Sequence, residues 1–211
     1  MSARHARRAR LAGLLLAGLA LAGCATTPRP ARGAPEAGCL PTGRSLIVAR
    51  IGTDENRSTA EAAAELLANT LRDTAHVIGV RELVAEARLA GLGVWASGVS
   101  ERLQRGGWLT PEEGGVLGDR FGISTLVATE VTEYDQVWGK YAKFTRAGVD
   151  AQAFDLASDR VIWRLRGDTE VEDMRGRAFR FAMEQAIQEL AAAICPRQGF
   201  SLVNAWRYWR R

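Results

Sequence analysis

The strongest constraint on the fold is a change of period at Ile123. From Ser124 to Val137 the chain is rich in Val, Thr and Ile, and short turns follow at Gly139-Lys140 and Ala157-Ser158-Asp159. β-branched residues fit a pleated surface and lose rotamer freedom in a helix. The pattern predicts strands over Ser124–Val137, Tyr141–Leu156 and Arg160–Val171. Turns this short join antiparallel neighbours. The run therefore reads as an antiparallel three-stranded meander.

Helical signals flank it. Ser45–Ile51 is a near-continuous apolar run, the mark of a strand buried on both faces. Ser58 with Glu61 three residues on reads as a capping box opening a helix to about Asp73. Its stripe is Ala60, Ala63, Ala64, Leu67 and Leu71, small enough for close packing on a sheet. His76–Val80 predicts a short strand, and Arg81–Ala90 a helix. Gly91, Gly93 and Gly98 then break regularity, with one further turn over Val99–Gln104. Thr110-Pro111-Glu112-Glu113 is a second capping box, and Gly122 suits the left-handed residue that ends its helix. A last helix runs from about Met174 to Ala193, with Phe179, Ala182, Met183, Ala186, Leu190 and Ile194 as its stripe. The order is α+β: a small mixed sheet with an antiparallel three-stranded meander packed by helices.

The first 44 residues stand outside this domain. Arg4, Arg7, Arg8 and Arg10 precede an apolar run from Leu11 to Ala22. The run is too short to span a bilayer, which takes about 20 residues. A basic start, a short apolar core and small residues before a cut form an export signal over residues 1–23. Leu21-Ala22-Gly23-Cys24 resembles the lipobox of bacterial lipoproteins. That resemblance implies cleavage before Cys24 and acylation of its thiol. Each buried methylene then adds about 0.8 kcal/mol of membrane affinity. Ala25 in place of Asp resembles the outer-membrane sorting pattern. The expected location is the outer membrane, lipid-anchored and facing the periplasm.

Residues 24–44 form the acylated Cys and a Pro/Gly-rich linker carrying four of the six prolines. Such a segment is extended and packs no core. The expected domain is 45–196, followed by a tail at 197–211. Charge changes with the cut. The precursor has 28 Lys plus Arg against 24 Asp plus Glu. Removing the four arginines of residues 1–23, which hold no acid, leaves 24 against 24. A neutral mature chain lacks the basic excess expected of a nucleic-acid binder, so no nucleic-acid partner is expected. Beside the acylated Cys24 the exported chain holds two cysteines, and a Cys39–Cys195 disulfide is expected from that compartment.

Two segments carry a wider resemblance. Leu117-Gly118-Asp119-Arg120-Phe121-Gly122-Ile123-Ser124-Thr125-Leu126-Val127, continuing to Tyr134, is similar to the helix–Gly–strand segment of periplasmic lipoproteins related to the curli-secretion lipoprotein. Val149–Trp163 resembles the next hairpin of that group. A related member is the lipoprotein activator of a penicillin-binding protein, whose domain resembles the N-terminal domain of TolB. The resemblance covers residues 45–194 and implies a non-enzymatic role in binding and assembly. The chain departs from the pore-forming member. Lys143, Arg146, Asp150 and Gln152 leave neither face of that strand apolar, as a membrane-spanning hairpin requires.

The residues themselves argue against an enzyme. There are two histidines, and His5 leaves with the signal. His76 alone makes no metal cluster and reads as a strand-edge or core residue. No CxxC, HExxH, GxGxxG or P-loop is present. Glu130, Glu133 and Asp135 share one strand, where alternation puts Glu130 on the opposite face from the other two. Asp168, Glu170, Glu172 and Asp173 precede the last helix, and the final two suit its N-terminus. Trp95, Trp108 and Trp138 lie near Gly-rich loops and are expected to pack against them. The tail, with Trp206, Arg207, Tyr208 and Trp209, has three readings: folding back to fill a groove of the domain, lying at the membrane interface, or binding a partner, since Trp, Tyr and Arg are enriched at hot spots and interfaces.

The expectation is a membrane-anchored adaptor or assembly factor with an envelope protein partner, no cofactor and no metal. Two alternatives stand beside it: an oligomeric export component, and a cell-wall or small-molecule binding module.

Overall fold

The computed structural model describes residue 40 and residues 43–140, 142–172 and 178–195. Cys24, Cys39 and the aromatic tail lie outside the described residues. The elements run β1 (Arg44–Arg50), a short 3-10 turn (Asp54–Asn56), α1 (Arg57–Leu71), β2 (Val77–Gly79), α2 (Val80–Leu89), α3 (Gly93–Gln104), α4 (Pro111–Phe121), β3 (Ile123–Trp138), β4 (Lys143–Asp155), β5 (Arg160–Glu172) and α5 (Ala178–Ile194).

The class is α+β as expected, but the sheet differs from a three-stranded meander. It is one five-stranded mixed sheet in the order β2-β1-β3-β4-β5. β1 pairs parallel with both β2 and β3. The antiparallel pairs β3–β4 and β4–β5 form its other flank. Short turns reveal the second kind of pairing. Parallel pairing joins segments far apart in sequence, so local pattern does not show it.

Alternation along β1 explains the two cores. Ile47 and Ala49 face α1 and α5, in a cluster with Leu67, Leu71, Val127, Ala151, Ile187 and Leu190. Leu46 and Val48 face the opposite side, with Leu83 of α2, Val99 and Leu103 of α3, Leu117 and Phe121 of α4, and Leu126 of β3. Ala60, Ala63 and Ala64 of α1 are buried as its stripe predicts.

Local signals were met unevenly. Thr110 caps α4: its Oγ1 accepts from the Glu113 amide at 3.3 Å, and Glu113 Oε2 accepts from the Thr110 amide at 2.8 Å. Gly122 ends that helix at φ 65°. Ser58 does not cap α1, which begins at Arg57 with Asn56 as N-cap and no side-chain bond. Glu61 instead meets Arg57 at 3.9 Å and Gln104 at 3.5 Å. The glycines at 93 and 98 lie within a full helix, because Ala96, Val99 and Leu103 bury its inner face. α5 is described from Ala178 to Ile194, and the expected start at Met174 lies outside the described residues. Thr110→Ala removes one cap bond, and a loss of about 1 kcal/mol is expected. Urea unfolding reads this as a lower midpoint at unchanged slope.

Candidate functional site

The helices cover the two faces unequally. α2, α3 and α4 bury Leu46, Val48, Leu126 and Ala128, but from β4 only Phe154 joins that core, and no residue of β5 does. The pairing of β1 with β3 stops at Arg50–Glu130. From there β3 continues to Trp138 with β4 as its partner. Beyond Glu130, no helix among the described residues covers this face of β3, β4 and β5.

A β-bulge decides what the open face presents. Register shifts between Val131 and Glu133, placing Glu130 opposite Asp150, Glu133 opposite Gly148 and Asp135 opposite Arg146. Asp150, Gly148 and Arg146 alternate on one face of β4, so all three acids of β3 share that face. The expected separation of Glu130 from Glu133 and Asp135 is therefore overturned. β5 adds Arg164, Arg166, Asp168 and Glu170 through its pairing with Gln152, Asp150, Gly148 and Arg146. Asp168, Glu170 and Glu172 are thus strand residues on one face, and Asp173 lies outside the described residues.

The face is a cross-strand charge ladder. Arg166 lies 3.8 Å from both Glu133 and Asp150 and 4.0 Å from Asp168. Arg146 bonds Glu170 and lies 3.9 Å from Glu133. The Glu170 hydrogen bond raises the Arg146 guanidinium above its ordinary range. Gly148 makes the crossing fit: a Cβ there would stand 3.2 Å from Arg166 Nη2 and 2.9 Å from Thr132 Oγ1. Exposed pairs of this kind contribute about 0–1 kcal/mol each, so the ladder is a weak source of stability. One carboxylate oxygen, Asp150 Oδ1, is buried without a hydrogen-bond partner among the described residues.

A second concavity lies beyond the short β2. A cleft of about 230 Å³ is floored by Ile47, Ala49, Ala64 and Ala68 and walled by charged side chains. Those charges pair across it: Arg72 with Glu82 at 2.7 Å, and Arg81 with Glu65 at 3.4 Å. Among the described residues no group of three His, Cys, Asp or Glu could hold a metal. His76 is exposed, and its carbonyl accepts the Ser45 amide at 2.8 Å just before the edge strand β2.

The other sequence-flagged residues are scattered. Cys195 is buried beyond α5, in the same core cluster as Leu40; its expected partner Cys39 lies outside the described residues. Trp95 lies in α3 and stacks on Phe121 of α4 at 6.2 Å, a helix-to-helix contact rather than packing against a Gly-rich loop. Trp108 is half exposed, edge-on to Phe154 at 4.9 Å with Arg50 over its ring. Trp138 does not pack: it is 77% exposed at the β3–β4 turn. Sequence reading missed Arg166, Gly148 and the bulge. The alternating charges of β5 were the available signal for the open face. Among the described residues no helix is long and apolar enough to cross a membrane.

No family model matches the chain, and no curated protein matches it. Among solved structures it is similar to a PelC dodecamer from Paraburkholderia phytofirmans, at 14% identity over 80% of this chain and 98% of that one, with a TM-score of 0.47. It is similar to lipoprotein GNA1162 from Neisseria meningitidis at 14% identity, over 70% of this chain and 97% of that one, TM-score 0.44. It is also similar to the LpoB C-terminal domain from Escherichia coli at 13% identity, over 74% of this chain and 93% of that one, TM-score 0.33.

Proposed function

We propose that the chain is an exported lipoprotein, anchored through acylated Cys24 to the outer membrane and facing the periplasm. Its domain acts there as a non-enzymatic adaptor that docks an envelope protein. The observation that carries this reading is the open ladder of β3, β4 and β5. Its acids are Glu130, Glu133, Asp135, Asp150, Asp168 and Glu170, against Arg146, Arg164 and Arg166. The excess of carboxylates fits a basic partner surface, and complementary charge sets encounter rate and specificity more than raw affinity.

Glu130→Arg combined with Asp168→Arg tests it. Both positions are exposed, so unfolding stability should move by less than about 1 kcal/mol. In-cell crosslinking, with purification through a tag inserted before Arg44, should lose the partner adduct. An undiminished adduct would contradict the proposal.

A second reading has its own observation. Among the described residues β5 is an edge strand over its whole length, and the distal half of β3 has no neighbour on its β1 side. Unpaired edges invite strand addition by another copy, the route to an oligomeric export component. Ladders of the chain itself in the same crosslinking experiment favour that reading.

A further inference from the structure

We infer that the corner between α2 and α3, from Leu89 to Val94, seats in the interface of the phospholipid bilayer that holds the acyl anchor. It is a second membrane contact beside Cys24. The inference rests on the anchored-lipoprotein reading above and fixes which end of the domain faces the membrane.

Three observations carry it. The first is exposure. Leu89 and Val94 are 92% and 91% exposed, the two most exposed large apolar side chains among the described residues. One exposed Leu is ordinary on a protein surface. Two at a single corner mark a contact. Residues 87–100 hold one charged side chain, Arg88, in a chain with 25% charged residues. Burial accounts for part of that run, since Ala87, Ala96 and Val99 belong to the core beneath. It leaves Leu89 and Val94 unaccounted for.

The second is construction. The Leu92 amide closes the corner on the Ala87 carbonyl at 2.7 Å, and the Gly91 amide bonds the Arg88 carbonyl at 3.1 Å. Gly91 takes φ 74°, which a side chain would strain. The Arg88 stem lies against Gly93: a Cβ there would stand 2.5 Å from Arg88 Cγ. The corner is thus shaped before it meets a ligand, and seating it orders little further chain. A basic side chain laid along apolar surface buries its stem and keeps its charge in the headgroup layer.

The third is position. α2 starts beside Ile47, which pairs with Gly79, and runs back toward Arg44. There Glu86 Oε2 accepts from the Arg44 guanidinium at 2.7 Å. α3 then returns, and the carbonyl of its last residue, Gln104, accepts the Ile51 amide at 2.7 Å. The corner therefore lies at the end of the sheet where the chain from Cys24 enters β1. Sixteen residues separate Cys24 from the buried Leu40, a reach of at most about 55 Å. A tether of that length does not by itself orient the domain; a seated corner does. Both signs of charge stand at this end: Asp73 before β2, Asp119 and Arg120 at the end of α4, and Asp155, Asp159 and Arg160 at the β4–β5 turn. The mixture neither draws nor repels a bilayer strongly, so the apolar pair decides the contact and salt should change it little. The distal part of β3, with its charge ladder, is left facing away from the membrane.

Photo-crosslinking on phospholipid vesicles tests the assignment. The full mature, acylated protein carries a diazirine side chain at Ala90, exposed in the corner, or at Gln136, exposed near the far end of β3. Photolysis should give phospholipid adducts at position 90 and few at position 136. Leu89→Gln with Val94→Gln should lower the position-90 yield by about fivefold or more. Both side chains are exposed, so the unfolding midpoint of that variant should stay unchanged. No lipid adduct at position 90, equal yields at the two positions, or a yield that the double variant leaves unchanged would overturn the inference. So would chain-to-chain adducts at position 90, which would make the corner a contact between copies. The mass of the mature N-terminal peptide reports acylation of Cys24 separately. An acylated protein without the position-90 adduct overturns the corner and leaves the anchor; an unacylated one overturns the anchor and, with it, the inference.

Discussion

Gly167→Val is expected to destabilise the domain by at least about 3 kcal/mol. Gly167 is buried on β5 beneath α5. A Cβ there would lie 2.2 Å from the Ala186 carbonyl oxygen and 2.9 Å from Leu190 Cβ. Two effects oppose each other. Val favours a strand over Gly by up to about 1 kcal/mol. The clash is with helix backbone, which yields only if α5 moves as a body, and that movement opens the core around Ile187 and Leu190. Overpacking wins. Gly148→Ala is the control: its new Cβ meets Thr132 Oγ1 at 2.9 Å, a side chain on the open face. A rotamer change relieves it, so the cost should stay below about 1.5 kcal/mol. Denaturant midpoints of the two variants, compared at equal slope, decide the matter.

Leu67→Ala is expected to cost about 2–5 kcal/mol. Leu67 is fully buried in α1, in the core shared with β1, β3 and α5. Its neighbours Ala63, Ala64 and Ala68 are already small, so nothing beside it in α1 can fill the space it leaves. Ala is the better helix former, but by a few tenths of a kcal/mol at most. For a domain of this size the loss lowers the melting temperature by about 2–4 °C per kcal/mol. Calorimetry reads it directly.

Both variants act on features that local pattern shows in part. The α1 stripe was legible because burial repeats with the helical period. The Thr110 box and the Gly122 cap were legible because each needs one residue type for one backbone geometry. Ser58 and Glu61 have the same spacing as Thr110 and Glu113, yet Ser58 caps nothing. The turn at Asp54–Asn56 starts α1 earlier, and Glu61 is drawn to Arg57 and Gln104. The helix over Gly93–Gln104 was obscured by glycine propensity, which burial of Val99 and Leu103 overrides.

The candidate site was less legible for a specific reason. A bulge inserts one residue and reverses the face of everything beyond it. Nothing about Thr132 announces that. Without the bulge Glu130 opposes Glu133; with it they stand together and Arg166 lies between β3 and β4 partners. Gly148 likewise reads as a weak strand residue until the guanidinium that crosses it is seen. The exposure of Trp138 escaped because an aromatic beside a glycine turn has the same sequence whether it packs or projects.

The central claim is that a tethered domain docks a protein partner through the open face of β3, β4 and β5. The most direct measurement places a photo-crosslinking residue at Asp168, on that face, and separately at Glu101, exposed on α3. Both are activated in intact cells, and the adducts are sized and identified. One dominant heavier adduct from position 168, absent from position 101, is the predicted result. No adduct at 168, the same adduct from both positions, or ladders of the chain alone would contradict it.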